Sequence, residues 1–77
     1  MIMKEEKFLY YKGFIGSIEF SREDNLHHGR VLGLTALISY EGQSIETLKG
    51  DFKESIEEYL EFCEGKNIKP EKSVIMV

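Results

Sequence analysis

The sequence predicts an α+β fold, a two-layer β-β-β-α-β domain in which an antiparallel meander carries one amphipathic helix on one face. Three observations predict it. A glycine-punctuated stretch from Tyr10 to Glu41 is rich in aromatic and β-branched residues. Apolar side chains spaced by threes and fours begin at Ile45. A short apolar, β-prone run from Ser73 to Val77 follows a linker containing Pro70. With 77 residues the chain has room for a single domain, 1–77, because a chain of this size buries only roughly 60% of its unfolded surface.

The first strand is expected over Tyr10 to Phe20, with Phe14, Ile18 and Phe20 in one parity and Ile15, Ser17 and Glu19 in the other. Gly13 and Gly16 weaken it, and each marks a bulge or a place where another group comes close. The polar run Ser21-Arg22-Glu23-Asp24-Asn25 reads as a turn, since Asp and Asn bond their own backbone or enter the left-handed region. A return strand is expected over His27 to Leu34 and a third over Ala36 to Glu41, ended by Gly42. Alternation along these strands leaves Ile15, Leu32, Leu34 and Leu37 too many to lie under one helix, so one sheet face calls for a partner, such as a second copy of the chain.

Ser44 stands where an N-cap belongs, and Glu46 suits the positive end of the helix dipole. Ile45, Leu48, Phe52, Ile56, Tyr59, Leu60 and Cys63 form the apolar stripe, with charged residues on the other positions. Gly50 within the helix implies close approach to the sheet or simple tolerance, and Gly65 is the expected left-handed residue after the last turn. The run from Ser73 to Val77 is expected as a fourth strand.

Composition narrows the function classes. An apolar fraction of 42% and a charged fraction of 31% are those of a chain that folds. A net charge of −4 repels phosphate backbones, so direct nucleic-acid binding by this chain is not expected, whereas a basic protein would be attracted to it. Cys63 is the only cysteine, which rules out an internal disulfide; it falls on the apolar stripe, where it reads as a small buried hydrophobe. No run approaches the ~18 apolar residues of a membrane span and the N-terminus has no signal-peptide pattern, so a cytoplasmic location with no membrane association is expected.

No catalytic constellation stands out, and neither enzymatic activity nor a cofactor is expected. Two-metal phosphoryl chemistry requires converging carboxylates. Glu19 offers one on a strand and Asp51 or Glu54 one on the helix, but the last strand contributes none. His27 and His28, adjacent on a strand, point to opposite faces, a poor geometry for sharing a metal; each reads as a half-exposed strand histidine.

Taken together, Tyr11-Lys12-Gly13-Phe14, Gly29-Arg30-Val31-Leu32-Gly33-Leu34, Ile38-Ser39-Tyr40-Glu41-Gly42-Gln43-Ser44 and Phe52-Lys53-Glu54-Ser55-Ile56-Glu57-Glu58-Tyr59-Leu60 make a chain that resembles the HicB antitoxin family over nearly its whole length. The resemblance implies a partial ribonuclease-H-like fold. It also implies an antitoxin of a type II toxin-antitoxin system, commonly a dimer, that neutralises a small basic HicA-type messenger-RNA-cleaving toxin by covering its active site. Many members continue into a ribbon-helix-helix or helix-turn-helix segment that binds operator DNA; this chain ends at Val77, so a C-terminal DNA-binding domain is not expected. The glycine usual after the helix-to-strand linker is also missing, since Ser73 runs directly into Val74. Candidate toxin-facing groups are the acidic residues at strand and turn edges, Glu19, Glu23, Asp24 and Glu41. The alternative is a stand-alone homodimerising interaction module with no toxin partner.

Overall fold

The computed structural model describes residues 7–73, and within them the chain is α+β. Five short strands, β1 (Phe8–Tyr11), β2 (Phe14–Ser17), β3 (Glu19–Ser21), β4 (Leu26–Arg30) and β5 (Ser39–Gly42), precede one helix, α1 (Ile45–Gly65). They form a two-stranded antiparallel sheet, β1-β2, and a three-stranded one, β3-β4-β5. A bridge between Gly16 and Val31 joins the two.

The expected strand over Tyr10 to Phe20 is therefore corrected to a hairpin followed by a third short strand. Tyr11 pairs with Phe14, and between them Lys12 (φ 48°) and Gly13 (φ 83°) both adopt positive φ, the signature of a type I′ turn whose twist matches that of the flanking strands. Gly13 is thus a turn residue and not a bulge. The return strand stops at Arg30, four residues short of the expected end, and the next starts at Ser39. Gly33 turns the intervening loop with φ 75°. The polar turn behaves as read, with Asn25 in the left-handed region at φ 52°. Of the expected fourth strand only Ser73 is described and it is not in a strand; Val74 to Val77 lie outside the described residues.

The helix follows its sequence pattern closely. Ser44 caps it through a capping box: its hydroxyl accepts from the Thr47 N–H (3.2 Å), while the Ser44 N–H donates to Thr47 Oγ1 (2.9 Å). Leu48, Phe52, Ile56 and Cys63 are buried, and Ile45, Tyr59 and Leu60 pack at the margin of the core. The far end is a correction. Gly65 remains helical, and Asn67 (φ 56°) takes the left-handed position. The Ile68 N–H then reaches back to the Cys63 carbonyl (2.8 Å) and the Asn67 N–H to that of Glu64 (3.1 Å), which is a Schellman motif.

Leu9, Phe14, Val31 and Tyr40 from the strands and the loop after β4 meet Leu48, Phe52 and Ile56 from α1 to form the core. Phe14 meets Tyr59 edge-on at 6.0 Å and Tyr40 meets Phe52 at 5.0 Å, separations at which aromatic pairs add stability beyond area burial. Of the four apolar residues expected to need a partner, Leu34 packs on the core while Ile15 and Leu32 are half-buried; Leu37 is 83% exposed. The space around Gly50 is open to 4 Å, so it does not permit close helix–sheet approach. Gly50→Ala is expected to stabilise the fold by about 1 kcal/mol, read as a higher urea midpoint at unchanged slope.

Where the β2 and β4 segments meet, side-chain hydroxyls add to the backbone bond from the Leu32 N–H to the Ile15 carbonyl (2.8 Å). The Tyr40 hydroxyl donates to the Ser17 carbonyl (2.7 Å) and lies 3.3 Å from that of Arg30. Ser73 Oγ accepts from the Ile15 N–H (2.9 Å) and donates to the Leu32 carbonyl (2.5 Å). The Tyr40 hydroxyl fits because Gly16 and Gly29 flank it: a Cβ at Gly16 would lie 2.1 Å from the Tyr40 oxygen, and one at Gly29 would lie 2.0 Å from the Ser17 carbonyl oxygen. Gly16 therefore admits a bulky side chain, as its position within a strand suggests.

Burial pushes the Tyr40 hydroxyl up to about 12. A raised folded-state value favours the protonated form, so this stabilisation is complete below pH 10, the ordinary tyrosine value, and disappears as pH rises through about 12. Tyr40→Phe is expected to cost about 1–3 kcal/mol at neutral pH, by removing the donor to the Ser17 carbonyl. It should also flatten the loss of stability between about pH 10 and 12; urea titrations of both proteins across that range measure the difference.

Candidate partner-binding face

Because Tyr40 and its partner Gly29 face α1, the alternate residues of β3, β4 and β5 face away from it. Two registers then place three side chains in a row. Glu19 pairs with His28 across β3 and β4, and His28 pairs with Glu41 across β4 and β5. Cross-strand neighbours stand roughly 4.5–5.5 Å apart at their Cβ atoms, so a histidine lies between two carboxylates on the helix-free face. His27, one residue away, faces α1, as strand alternation requires. The next row holds Arg30 opposite Ser39.

The helix closes the outer edge of β5. Asp51 Oδ2 accepts from the Glu41 N–H at 2.9 Å, and the Ser55 hydroxyl donates to the Ser39 carbonyl at 3.5 Å. Both backbone groups are thereby satisfied, which blunts this edge against strand addition. A shallow groove of about 510 Å³ lies where β4 and β5 approach α1, lined by Asp24, Leu26, His28, Ser39, Glu41 and Asp51 together with Gly29 and Tyr40.

Of the four acidic candidates, the structure brings Asp24 and Glu41 together in this groove and sets Glu19 at the other end of the same cross-strand row. Asp24 also holds the β3–β4 turn, accepting from the Ser21 hydroxyl at 3.3 Å while its own N–H donates to that hydroxyl at 3.4 Å. Glu23 is exposed in the same turn and does not line the groove. Sequence reasoning missed His28 and Asp51 as members of the site. The signal for His28 was strand parity, which identifies its face; its acidic neighbours follow from register alone.

Carboxylates presented this way accept paired hydrogen bonds from guanidinium groups and attract ammonium groups, and Leu26 adds an apolar contact beside them. Among the described residues no three His, Cys, Asp or Glu side chains are placed to hold a metal ion. Nor is any helix among them long and apolar enough to cross a membrane.

A second polar cluster ties the β1–β2 turn to the helix. Glu57 accepts from the Tyr11 hydroxyl and pairs with Lys12 at 2.7 Å. The Lys12 ammonium, then the Tyr11 hydroxyl, holds the Glu57 carboxyl below its ordinary value. This pair is exposed and positions the turn. On the C-terminal side, Glu71 accepts from the Thr35 hydroxyl at 2.7 Å, and its N–H donates to the Tyr59 hydroxyl at 3.0 Å. These bonds draw the post-helix segment back toward the sheet.

Comparisons with protein-family models, with curated proteins and with solved structures find no match for this chain.

Proposed function

We propose that this chain is an antitoxin of the HicB type, which binds a small basic messenger-RNA-cleaving toxin and covers its active site. The observation that carries the reading is the Glu19–His28–Glu41 row with Asp24 beside it, on the helix-free face of a chain of net charge −4. A basic nuclease is selected for positive surface where it holds RNA, and an acidic face opposite that surface speeds encounter and fixes orientation. Inhibition by occlusion asks for no chemistry from the inhibitor. The resemblance of the sequence motifs supports the same reading and, with antiparallel strands preceding one helix, supports assignment to a partial ribonuclease-H-like fold.

The test is to ask whether a gene beside this one encodes a small basic protein and, with that protein, to co-express the two. A stoichiometric complex and arrested RNA cleavage are expected, and Glu41→Lys should weaken the complex about 10-fold or more, mainly through slower association that depends strongly on salt. Free partner with undiminished cleavage would overturn the reading.

A second reading, a homodimerising module without a toxin, draws on a different observation. On β1, Leu9 is buried, whereas the alternate residues Phe8 and Tyr10 are 44% and 68% exposed. Two aromatics on a short strand suit a self-associating surface. Under this reading sedimentation gives a dimer that Tyr10→Lys dissociates, and no neighbouring protein co-purifies.

A further inference from the structure

β1 is an edge strand, and the phase of its hydrogen bonds can be read from both strands of the hairpin. The turn at Lys12-Gly13 closes on the Tyr11–Phe14 pair, and in a two-residue hairpin the closing pair exchanges both of its backbone bonds. Bonding then alternates, so Leu9 and Tyr11 direct their N–H and C=O groups at β2, and Phe8 and Tyr10 direct theirs outward. Ile15, opposite Tyr10, gives the same phase by turning both groups away from β1. Its N–H donates to Ser73 Oγ (2.9 Å) and its carbonyl accepts from the Leu32 N–H (2.8 Å). No group among the described residues bonds the outward groups of Phe8 and Tyr10. Their rings are exposed on the face away from α1, because Leu9 between them is buried in the core. Register sets Tyr10 beside Ile15, and the Gly16–Val31 bridge sets Ile15 beside Leu32. An apolar row thus crosses the helix-free face and ends at the β1 edge; it holds two of the residues whose alternation calls for a partner.

We propose that two copies of this chain pair antiparallel through the outer edges of β1, with Leu9 of each copy opposite Leu9 of the other on a two-fold axis. In that register Phe8 of each copy exchanges both bonds with Tyr10 of the other, so every outward group on both strands is satisfied. Other registers fail. Centring on Tyr10 sets Phe8 opposite Lys12, which has left the strand for the turn at φ 48°, and centring on Phe8 carries Tyr10 past the start of the strand. A slip by one residue sets outward groups against inward ones. β1 has no charged side chain, so self-pairing brings no like charges directly opposite each other, and the Phe8 and Tyr10 rings of the two copies pack side by side. The carboxylates that a basic toxin calls for lie on the β3-β4-β5 sheet and not at this edge. The pairing rests on the homodimer reading and gives it a surface and a register; it is independent of the antitoxin reading.

The test is amide hydrogen exchange of the whole chain, followed by NMR at rising protein concentration beside sedimentation. As the dimer forms, the Phe8 and Tyr10 amides are expected to gain about 10-fold or more in protection, whereas those of Leu9 and Tyr11, already bonded to β2, change little. In a mixture of isotope-labelled and unlabelled chains, Leu9 Hα should contact Leu9 Hα of the other copy, since partners without mutual hydrogen bonds stand closest in an antiparallel pair. Phe8→Pro removes an outward N–H at the first residue of an edge strand, where proline is tolerated. It should weaken the dimer about 10-fold more than Phe8→Ala, which keeps that donor; equal weakening by the two would overturn the proposal. A dimer whose Phe8 and Tyr10 amides stay unprotected would overturn this pairing and leave the homodimer reading standing, and a monomer at every concentration would overturn both. Protection that arises only when a basic partner protein is added would assign the edge to that protein, against the proposal.

Discussion

Gly29→Ala is expected to destabilise the protein by about 3 kcal/mol or more, a large part of the 5–15 kcal/mol that holds a typical domain folded. The new methyl carbon would lie 2.0 Å from the Ser17 carbonyl oxygen and 2.8 Å from the Tyr40 hydroxyl. The first of these is backbone, so relief requires β4 to move from β2 and the Tyr40 hydroxyl to leave the Ser17 carbonyl. Gly16→Ala provides the internal control. There the nearest atoms are the Tyr40 oxygen at 2.1 Å and a ring carbon of Phe52 at 2.8 Å, both on side chains. Removing the hydroxyl with Tyr40→Phe should therefore rescue part of the Gly16→Ala loss and little of the Gly29→Ala loss, a non-additivity that neighbours sharing an atom must show. Urea denaturation of the three single and two double variants measures both terms. Equal rescue of the two alanine variants would mean that the Ser17 carbonyl is not the obstacle at Gly29.

The difference between what was legible and what was not follows from range. The helix was legible because every determinant lies within a few residues: the Ser44 cap, the apolar repeat from Ile45 to Cys63, and the polar positions between. Its C-terminus was misplaced by two residues because glycine is the usual left-handed stop and asparagine a lesser one, and here Asn67 makes the reverse turn while Gly65 completes the helix. The first hairpin was missed for a similar reason. The favoured pairs for a type I′ turn begin with Asn, Asp or Gly, whereas this turn is Lys12-Gly13, and lysine pays a steric penalty in the left-handed region that the sequence does not announce. With that turn unrecognised, β1 and β2 merge into one strand.

The candidate site was half legible. Exposed acids at strand and turn edges can be named from alternation and turn chemistry, and Glu19, Asp24 and Glu41 do lie at the helix-free face or its groove. Their relation to one another depends on two long-range registers, and a slip of one residue in either would send a member of the row to the other face. His28 joins Glu19 to Glu41 only through those registers. Tyr40 was equally opaque. Its place in the alternation marks it as half of an apolar pattern, but the use of its hydroxyl to splice two strands requires Gly16 and Gly29 on either side, from segments 24 and 11 residues away in the chain.

Phe52→Glu is expected to abolish cooperative folding at room temperature, and Phe52→Ala to cost about 3–5 kcal/mol. Phe52 is 1% exposed and stands at the centre of the core, its ring 5.0 Å from that of Tyr40. In a chain of this size the core is thin, so no second layer takes up the loss. A carboxylate at this position would have to take up a proton, leaving an unpaired polar group in the core, or be drawn to water, which lifts α1 from β5. Lys53 sharpens the contrast, because it is exposed and one residue away. Lys53→Glu should move the thermal midpoint little, since a surface charge pair is worth at most about 1 kcal/mol. Circular dichroism melts of Phe52→Glu, Phe52→Ala and Lys53→Glu separate the two faces of the helix directly. If the charge were tolerated at 52 and not at 53, the helix would be rotated by about 100°, and the cross-strand geometry that depends on Tyr40 facing it would have to be redrawn.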